Sequence, residues 1–311
     1  MIKKTVLVTG ASGFVGRPLI DQLHRAGYLI RATTRDATPF HNYVTPVTIP
    51  DLSTEVNWKP ILEGIDIVIH IAGVTHIDIQ KNASRMFDLV NRLATQNLVR
   101  AAKEGQIERF VYISSLRAQV GPTAKLPVRE ADDARPTDDY GRSKLAAENA
   151  VRESGVPFTI LRPVFVYGPH PIQNFKSLIR LAASPLPLPF LGLSGRRSLL
   201  CVDNFVSATL FVLNNPATAG ETYLIADDSS FTLAEIVTMM RKAQGRHAGL
   251  FKIHPWLFRL ALGLFNQSER VTRLGEDLVV DTTKLKMLGW LPPISTYDGI
   301  AAMMRAESKD I

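Results

Sequence analysis

Cysteine is nearly missing from this chain, with one thiol, Cys201, in 311 residues. That excludes an intrachain disulfide framework and a zinc cluster of cysteines, and it fits a reducing compartment. Long apolar runs are missing too. The nearest, around Leu257 to Phe265, is broken by Arg259 and falls short of the roughly 18 residues a membrane-spanning helix needs. The basic opening Met1-Ile2-Lys3-Lys4 is followed only by Val6 to Val8 before Thr9-Gly10, which is too short for a secretion signal, so a cytoplasmic protein is expected. There is no internal repeat, heptad run or low-complexity tract, which excludes solenoids and coiled coils. His70, His76, His170 and His254 are scattered and poor in cysteine or carboxylate partners, so no metal site is expected.

What is present describes a folded chain long enough for one large domain or two unequal ones, with 46% hydrophobic and 21% charged residues. The net charge is +7, and residues 241–273 carry +6 of it. Such a stretch suits nucleic acid, a membrane surface, an anionic ligand or a plain solvated face. No nucleic-acid-binding module accompanies it, so steering of an anionic small molecule is expected and nucleic acid is not. The apolar residues Pro255 to Phe265 in the same stretch read as a core helix in preference to a helix lying on anionic lipid.

Short β-branched runs alternate with helical patterns. Thr5 to Thr9, Leu29 to Thr34, Val44 to Ile49, Ile65 to Ile71, Phe110 to Ser114 and Phe158 to Leu161 read as strands, and Arg17 to Ala26 and Phe87 to Lys103 as helices. This alternation predicts an α/β fold, a Rossmann-type doubly wound parallel sheet whose ligands bind at the carboxyl ends of the strands. After about residue 165 the rhythm breaks at Pro185-Leu186-Pro187-Leu188-Pro189 and turns mainly helical. The expected division is a nucleotide-binding domain over 1–170 and a smaller, mainly helical substrate domain over 171–311, with part of 195–226 returning to the first.

The segment TGASGFVG, residues 9–16, follows the first strand and opens a helix. Gly10, Gly13 and Gly16 permit a tight turn, close approach of a pyrophosphate and close helix packing, and Ser12, Phe14 and Val15 complete the loop around the phosphates. A cofactor with a free ribose 2′-hydroxyl asks for an acid at the end of the second strand. Thr34-Arg35 stands there instead, a pair that suits a 2′-phosphate, so NADP(H) is favoured; Asp36 leaves NAD(H) open. Tyr140 and Lys144 are spaced to share a helix face. A phenol titrates near 10 and needs a neighbouring cation to serve near neutrality; Lys144 is placed to be that cation. Ser114-Ser115 ends the fifth strand, where a hydroxyl can hold a reacting oxygen against the phenol.

TGxxGxxG, the serine pair and YxxxK in this order resemble the extended short-chain dehydrogenase/reductase superfamily, and within it the NAD-dependent epimerase/dehydratase family of nucleotide-sugar enzymes. The resemblance covers nearly the whole chain. It implies Ser115, Tyr140 and Lys144 as the catalytic set, with Lys144 also binding the nicotinamide ribose and Ser114 beside the cofactor. It further implies cofactor contacts at Asp51-Leu52, Ile71-Ala72-Gly73, Asn91 and Pro163. On the substrate side it implies Thr75, Asn174, Arg197 and Arg273, the last three toward a diphosphate. Val164-Phe165 stands where epimerases of the UDP-galactose type have an aromatic-asparagine pair. PLPLPFLGLSGRRSLLCVDNF and DTTKLKMLGWLPP most resemble reductases of UDP-4-keto-6-deoxy-N-acetylhexosamine, which make UDP-N-acetylquinovosamine or its epimer.

The expected activity is therefore hydride transfer between a nicotinamide and C4 of a UDP-sugar in polysaccharide biosynthesis, favoured as 4-keto reduction. A 4-epimerase with retained NAD, a reductase of a hydrophobic carbonyl compound and a non-catalytic NADP-sensing protein are the alternatives. A homodimer pairing helices of the large domain is usual for the family.

Overall fold

A central strand of a doubly wound sheet is covered on both faces, so it reads as an unbroken apolar run instead of an alternating one. Val6, Leu7 and Val8 meet that condition and are fully buried in β1 (Thr5–Thr9). The structure, a computed structural model, describes residues 3–36, 40–75, 83–170, 173–253 and 275–307. After β1 come α1 (Gly16–Arg25), β2 (Leu29–Thr34), β3 (Val44–Thr48), α2 (Lys59–Leu62), β4 (Ile67–His70) and α3 (Ala83–Met86). A π-helical stretch over Phe87–Leu93 joins α3 to α4 (Ala94–Glu104). Then follow β5 (Arg109–Ile113), a 3₁₀ turn at Leu116–Ala118, α5 (Asp139–Glu153) and β6 (Phe158–Pro163). Next come β7 (Phe165–Tyr167), α6 (Gln173–Ala183), β8 (Arg196–Cys201), α7 (Val202–Asn214), β9 (Glu221–Ile225), β10 (Ser230–Thr232), α8 (Leu233–Ala243), α9 (Thr283–Lys286) and α10 (Thr296–Glu307).

Seven strands form one sheet in the order β3-β2-β1-β4-β5-β6-β9. β1 pairs in parallel with β2 on one side and β4 on the other, so the order reverses at β1 and opens a crevice at the carboxyl ends of β1 and β4. The chain divides into two compact units, one of Met1–Gly121, Glu130–Pro163 and Val206–Leu224, the other of Pro122–Arg129, Val164–Phe205 and Ile225–Ile311. The crossing thus lies at 163, ahead of the expected 170, and the returning stretch is 206–224, which carries β9 to the edge of the large sheet beside β6.

In the first unit, Leu7, Val68, Leu98, Phe110, Ala147 and Ile160 belong to one buried cluster joining the sheet to α4 and α5. Burial of such side chains contributes about 1.5–3 kcal/mol each. The second unit is less purely helical than its pattern suggested, because it holds a small sheet, β10-β8-β7. β7 and β10 are three residues long, too short for any periodicity to register. Asp227 anchors this unit, accepting from the Cys201 amide at 2.9 Å, Asn204 at 2.7 Å, the Tyr167 hydroxyl at 2.9 Å and the Thr296 hydroxyl at 2.9 Å.

Two cations of the basic stretch are turned to structural use. Arg241, 3% exposed, donates to the carbonyls of Ala182, Ser184, Leu186, Ala248 and Gly249. Arg246 adds bonds to the carbonyls of Ala182, Ala183 and Ser184. These arginines satisfy the carbonyl end of α6, where a helix dipole favours positive charge. They are engaged with the chain itself. The apolar stretch 255–265 and Arg273 lie outside the described residues. Among the described residues, no helix is long and apolar enough to cross a membrane.

Candidate active site

The loop after β1 is shaped by contacts only glycine permits. Gly10 has φ +72°, and a side-chain carbon there would come within 2.8 Å of the Ala72 amide nitrogen, so the ends of β1 and β4 touch backbone to backbone. At Gly16 a side chain would strike the Gly10 carbonyl and Ala11, which keeps α1 tight against the loop. Ser12 and Gly13 are exposed and Phe14 and Val15 half-buried. The N-terminus of α1 has no side-chain cap and no acidic residue in its first turn. An uncapped positive helix end, reached over a floor of glycine, fits the pyrophosphate of a dinucleotide.

At the end of β2 the Thr34 hydroxyl donates to the Asp36 carbonyl at 2.6 Å. Arg35 reaches across to Asp51, Nη1 to Oδ2 at 3.1 Å, with both side chains largely in solvent. Two residues expected at the adenosine end are thereby brought together. Hydrogen bonds from Ser53 and the Arg35 charge hold the Asp51 carboxyl below its ordinary value. Leu52 packs against the first unit's core.

Beyond β4, Ile71 to Thr75 run as irregular chain. Asn91, in the π-helical stretch, holds that loop: its Oδ1 accepts from the Val74 amide at 2.8 Å, and its Nδ2 donates to the Val74 carbonyl at 3.0 Å and the Ser143 hydroxyl at 3.1 Å. At 1% exposure Asn91 spends its amide inside the protein, so here it shapes the loop that a cofactor would pass. His70, fully buried at the end of β4, lies between the hydroxyls of Thr9 at 2.7 Å and Thr95 at 2.9 Å. Desolvation, then the nearby Lys144 charge, pushes it down to about 3. It is a neutral tie between strand ends.

Ser115 leaves β5 in extended conformation and caps the 3₁₀ turn, its hydroxyl accepting from the Arg117 amide at 3.2 Å. The same hydroxyl acts on the Tyr140 phenol, favouring its ionised form. Tyr140 stands in the first turn of α5, which Asp138 caps by accepting from the Gly141 amide at 2.7 Å, and the Phe87 ring meets its ring edge-on at 5.7 Å. Desolvation pushes the phenol up to about 12; the Ser115 bond opposes this, Asp138 adds to it and Arg117 opposes it. Lys144, 4% exposed, donates to the Ile113 carbonyl at 2.7 Å and lies 4.3 Å from the centre of the Tyr112 ring. Burial lowers its ammonium to about 7, against a raising influence of Glu148. The three expected catalytic residues therefore converge, with the lysine charge turned to the β5 carbonyl and ring.

Behind them lies a buried ion pair that the motifs did not reveal. Glu148 accepts from the Ser114 hydroxyl at 2.5 Å, from Arg162 at 2.8 and 2.6 Å, and from Arg152 at 2.7 Å. Arg162 also donates to Gln119 at 2.7 Å. The available signal was Glu148 at four residues past Lys144, an acid on the inward face of α5, facing an arginine near the end of an apolar strand.

Pro163 is the last residue of β6. Arg197 belongs to the second unit, where its Nη2 donates to the Pro122 carbonyl at 2.9 Å. Asn174 lies in α6, also in that unit. Arg273 is outside the described residues.

A family model described as the NAD dependent epimerase/dehydratase family matches residues 6–226. A UDP-glucose 4-epimerase of Vibrio cholerae is 30% identical over 313 residues, covering 97% of this chain and 95% of its own. A dTDP-D-glucose 4,6-dehydratase of Mus musculus is 27% identical over 318 residues, covering 96% and 86%. Among solved structures, MoeE5 in complex with UDP-glucuronic acid and NAD superposes with a TM-score of 0.79 at 24% identity, covering 99% of this chain and 100% of its own. At that identity the likeness speaks for the fold.

Proposed function

The chain belongs to the NAD dependent epimerase/dehydratase family, whose nucleotide-sugar enzymes depend on a nicotinamide cofactor, and from that premise we propose that it reduces the 4-keto group of a UDP-bound 6-deoxy-N-acetylhexosamine. The observation that carries the reading is the convergence of Ser115, Tyr140 and Lys144 at the carboxyl end of β5.

The loop Gly10 to Gly16, with the α1 N-terminus, would hold the cofactor's pyrophosphate; Arg35 and Asp51 would meet its adenosine end, and Lys144 its second ribose. A bound nicotinamide supplies or accepts the hydride, and the chain's part is orientation and proton placement. Ser115 holds the C4 oxygen by a hydrogen bond. Tyr140 gives its phenolic proton to that oxygen as the keto group becomes an alcohol. Charge near the phenol, from Arg117 and from a reoriented Lys144, makes that release easier. Arg197 and Asn174 are proposed to bind the diphosphate, a guanidinium fork suiting two phosphate oxygens.

Arg35 favours a cofactor that carries a 2′-phosphate and exchanges at each turnover, and so net reduction. The Vibrio cholerae relative favours the second reading, a 4-epimerase that retains NAD. Incubation of the pure protein with a panel of UDP-sugars and UDP-4-keto-sugars, with and without NADPH, separates them. Oxidised cofactor and a reduced sugar are expected; an isomerised sugar without added cofactor would overturn reduction in favour of epimerisation.

A further inference from the structure

We propose that Arg117 is a charged positioning residue for Ser115 and Tyr140, held beside them by Asp138, so that its guanidinium and that carboxylate together set the charge around the phenol. The inference rests on the reading of Tyr140 as the proton donor and adds residues to it.

Two contacts, tied together by the cap of α5, lock the turn after β5 onto the first turn of α5. The Arg117 guanidinium bonds the Asp138 carboxylate through Nη2. The other oxygen of that carboxylate takes the Gly141 amide at 2.7 Å, so one side chain both caps α5 and anchors the turn. The Arg117 carbonyl lies where a side chain at Gly141 would begin, and the turn and helix are therefore in direct backbone contact at the residue after Tyr140. On the other side, the Arg117 amide donates to the Ser115 hydroxyl at 3.2 Å. The contacts Ser115–Arg117–Asp138–Gly141 thus surround the phenol-bearing turn, with Ser115 and Tyr140 at its two ends.

Arg117 also brings charge. Its Nη1 is buried with no hydrogen-bond partner among the described residues, an expense that a purely structural residue avoids by using a neutral or shorter side chain. The other charges on the elements packed around Tyr140 are engaged elsewhere or stand in solvent. Asp139 pairs with Arg142 and Ser84, and Asp88 with Arg92. Lys144 donates to Ile113, Glu148 lies between Arg152 and Arg162, and Arg85 is exposed. Arg117 and Asp138 act on the phenol with opposite signs, the first easing and the second hindering loss of its proton.

Opposite signs make the test decisive, because loss of a merely structural contact would move both variants the same way. The full chain is produced with a fluorinated tyrosine, whose electron-poor ring brings phenol titration into a range the fold withstands. Fluorine NMR follows the seven tyrosines, and Tyr140→Phe identifies the resonance of Tyr140. Arg117→Met is expected to move the Tyr140 midpoint up by about one pH unit and Asp138→Asn, which keeps a capping side chain, to move it down. Shifts of the same sign, or none, overturn the proposal. If Arg117→Met does not fold, Arg117→Lys retains the charge without the fork and should leave the midpoint near that of the parent; a full unit upward would overturn the assignment. The titration needs no turnover, so full activity of Tyr140→Phe would sink the proton-donor reading on separate grounds.

Discussion

Ser114 and Glu148 join the end of β5 to the middle of α5, hydroxyl to carboxylate, at 2.5 Å. Ser114 precedes the serine that meets Tyr140, and Glu148 follows Lys144 by one helical turn. The pair behind the catalytic residues is thus held by the same two elements that carry them, and Arg162 brings β6 into the same bond network.

Glu148→Gln should destabilise the protein by about 3–5 kcal/mol, because it leaves the Arg162 guanidinium buried without its counter-charge. Desolvation works to raise the Glu148 carboxyl, but Arg162, Ser114 and Arg152 outweigh it and hold it below its ordinary value. Its contribution is therefore present above the pKa of an unfolded glutamate and lost as pH falls through the lower folded value. Urea unfolding at neutral pH and near pH 3 checks both statements; equal loss at the two pH values would contradict the second.

Tyr140→Phe should lower kcat by about 10²–10⁴-fold, the range for a lost general acid, with cofactor affinity unchanged. Ser115→Ala should fall in the same direction through the lost hold on the C4 oxygen. Steady-state kinetics alongside calorimetric cofactor binding separates a chemical defect from a binding defect.

Lys144 titrates at about 7 in the fold because its ammonium is desolvated, well below an unfolded lysine near 10.4. Between those values the unfolded chain binds more protons, so this residue makes stability rise with pH across that window. Lys144→Met should lack that rise: its stability relative to the parent is expected to be greatest near pH 6.5 and to shrink by pH 9. A difference that stays constant in denaturant titrations would refute the buried-ammonium account.

Arg35→Ala should weaken NADPH binding by about 10–100-fold, as for loss of a charge-assisted contact, and leave NADH nearly unaffected. Asp51→Asn is expected to strengthen NADPH binding by releasing the guanidinium from its present partner. Fluorescence titration with both cofactors decides, and an unaltered preference in Arg35→Ala would remove the argument for a 2′-phosphate.

Much of this architecture was legible because it is local. The strands β1, β2, β4 and β5 announce themselves as buried β-branched runs, and the glycine loop and YxxxK are spaced by backbone geometry alone. The small sheet was hidden by strands of three residues. Glu148 and Arg162 were hidden for another reason: they are 14 positions apart and paired only in space, and no period links a helix residue to a strand residue. The role of Arg117 was equally invisible, since it depends on a turn docking at Gly141. Charge counting could not show that Arg241 and Arg246 bond backbone carbonyls, because formal charge does not record a guanidinium's hydrogen-bond partners.

The tie made by His70 bears on how kinetics are interpreted. An imidazole held neutral down to about pH 3 takes up no proton in the physiological range, so an inflection near neutrality in a rate profile cannot be assigned to it. Among the described residues, a buried group lowered to about 7 is an amine, Lys144. An inflection that belongs to it should carry the steep temperature dependence of an ammonium ionisation, which calorimetry distinguishes from the shallower one of an imidazole.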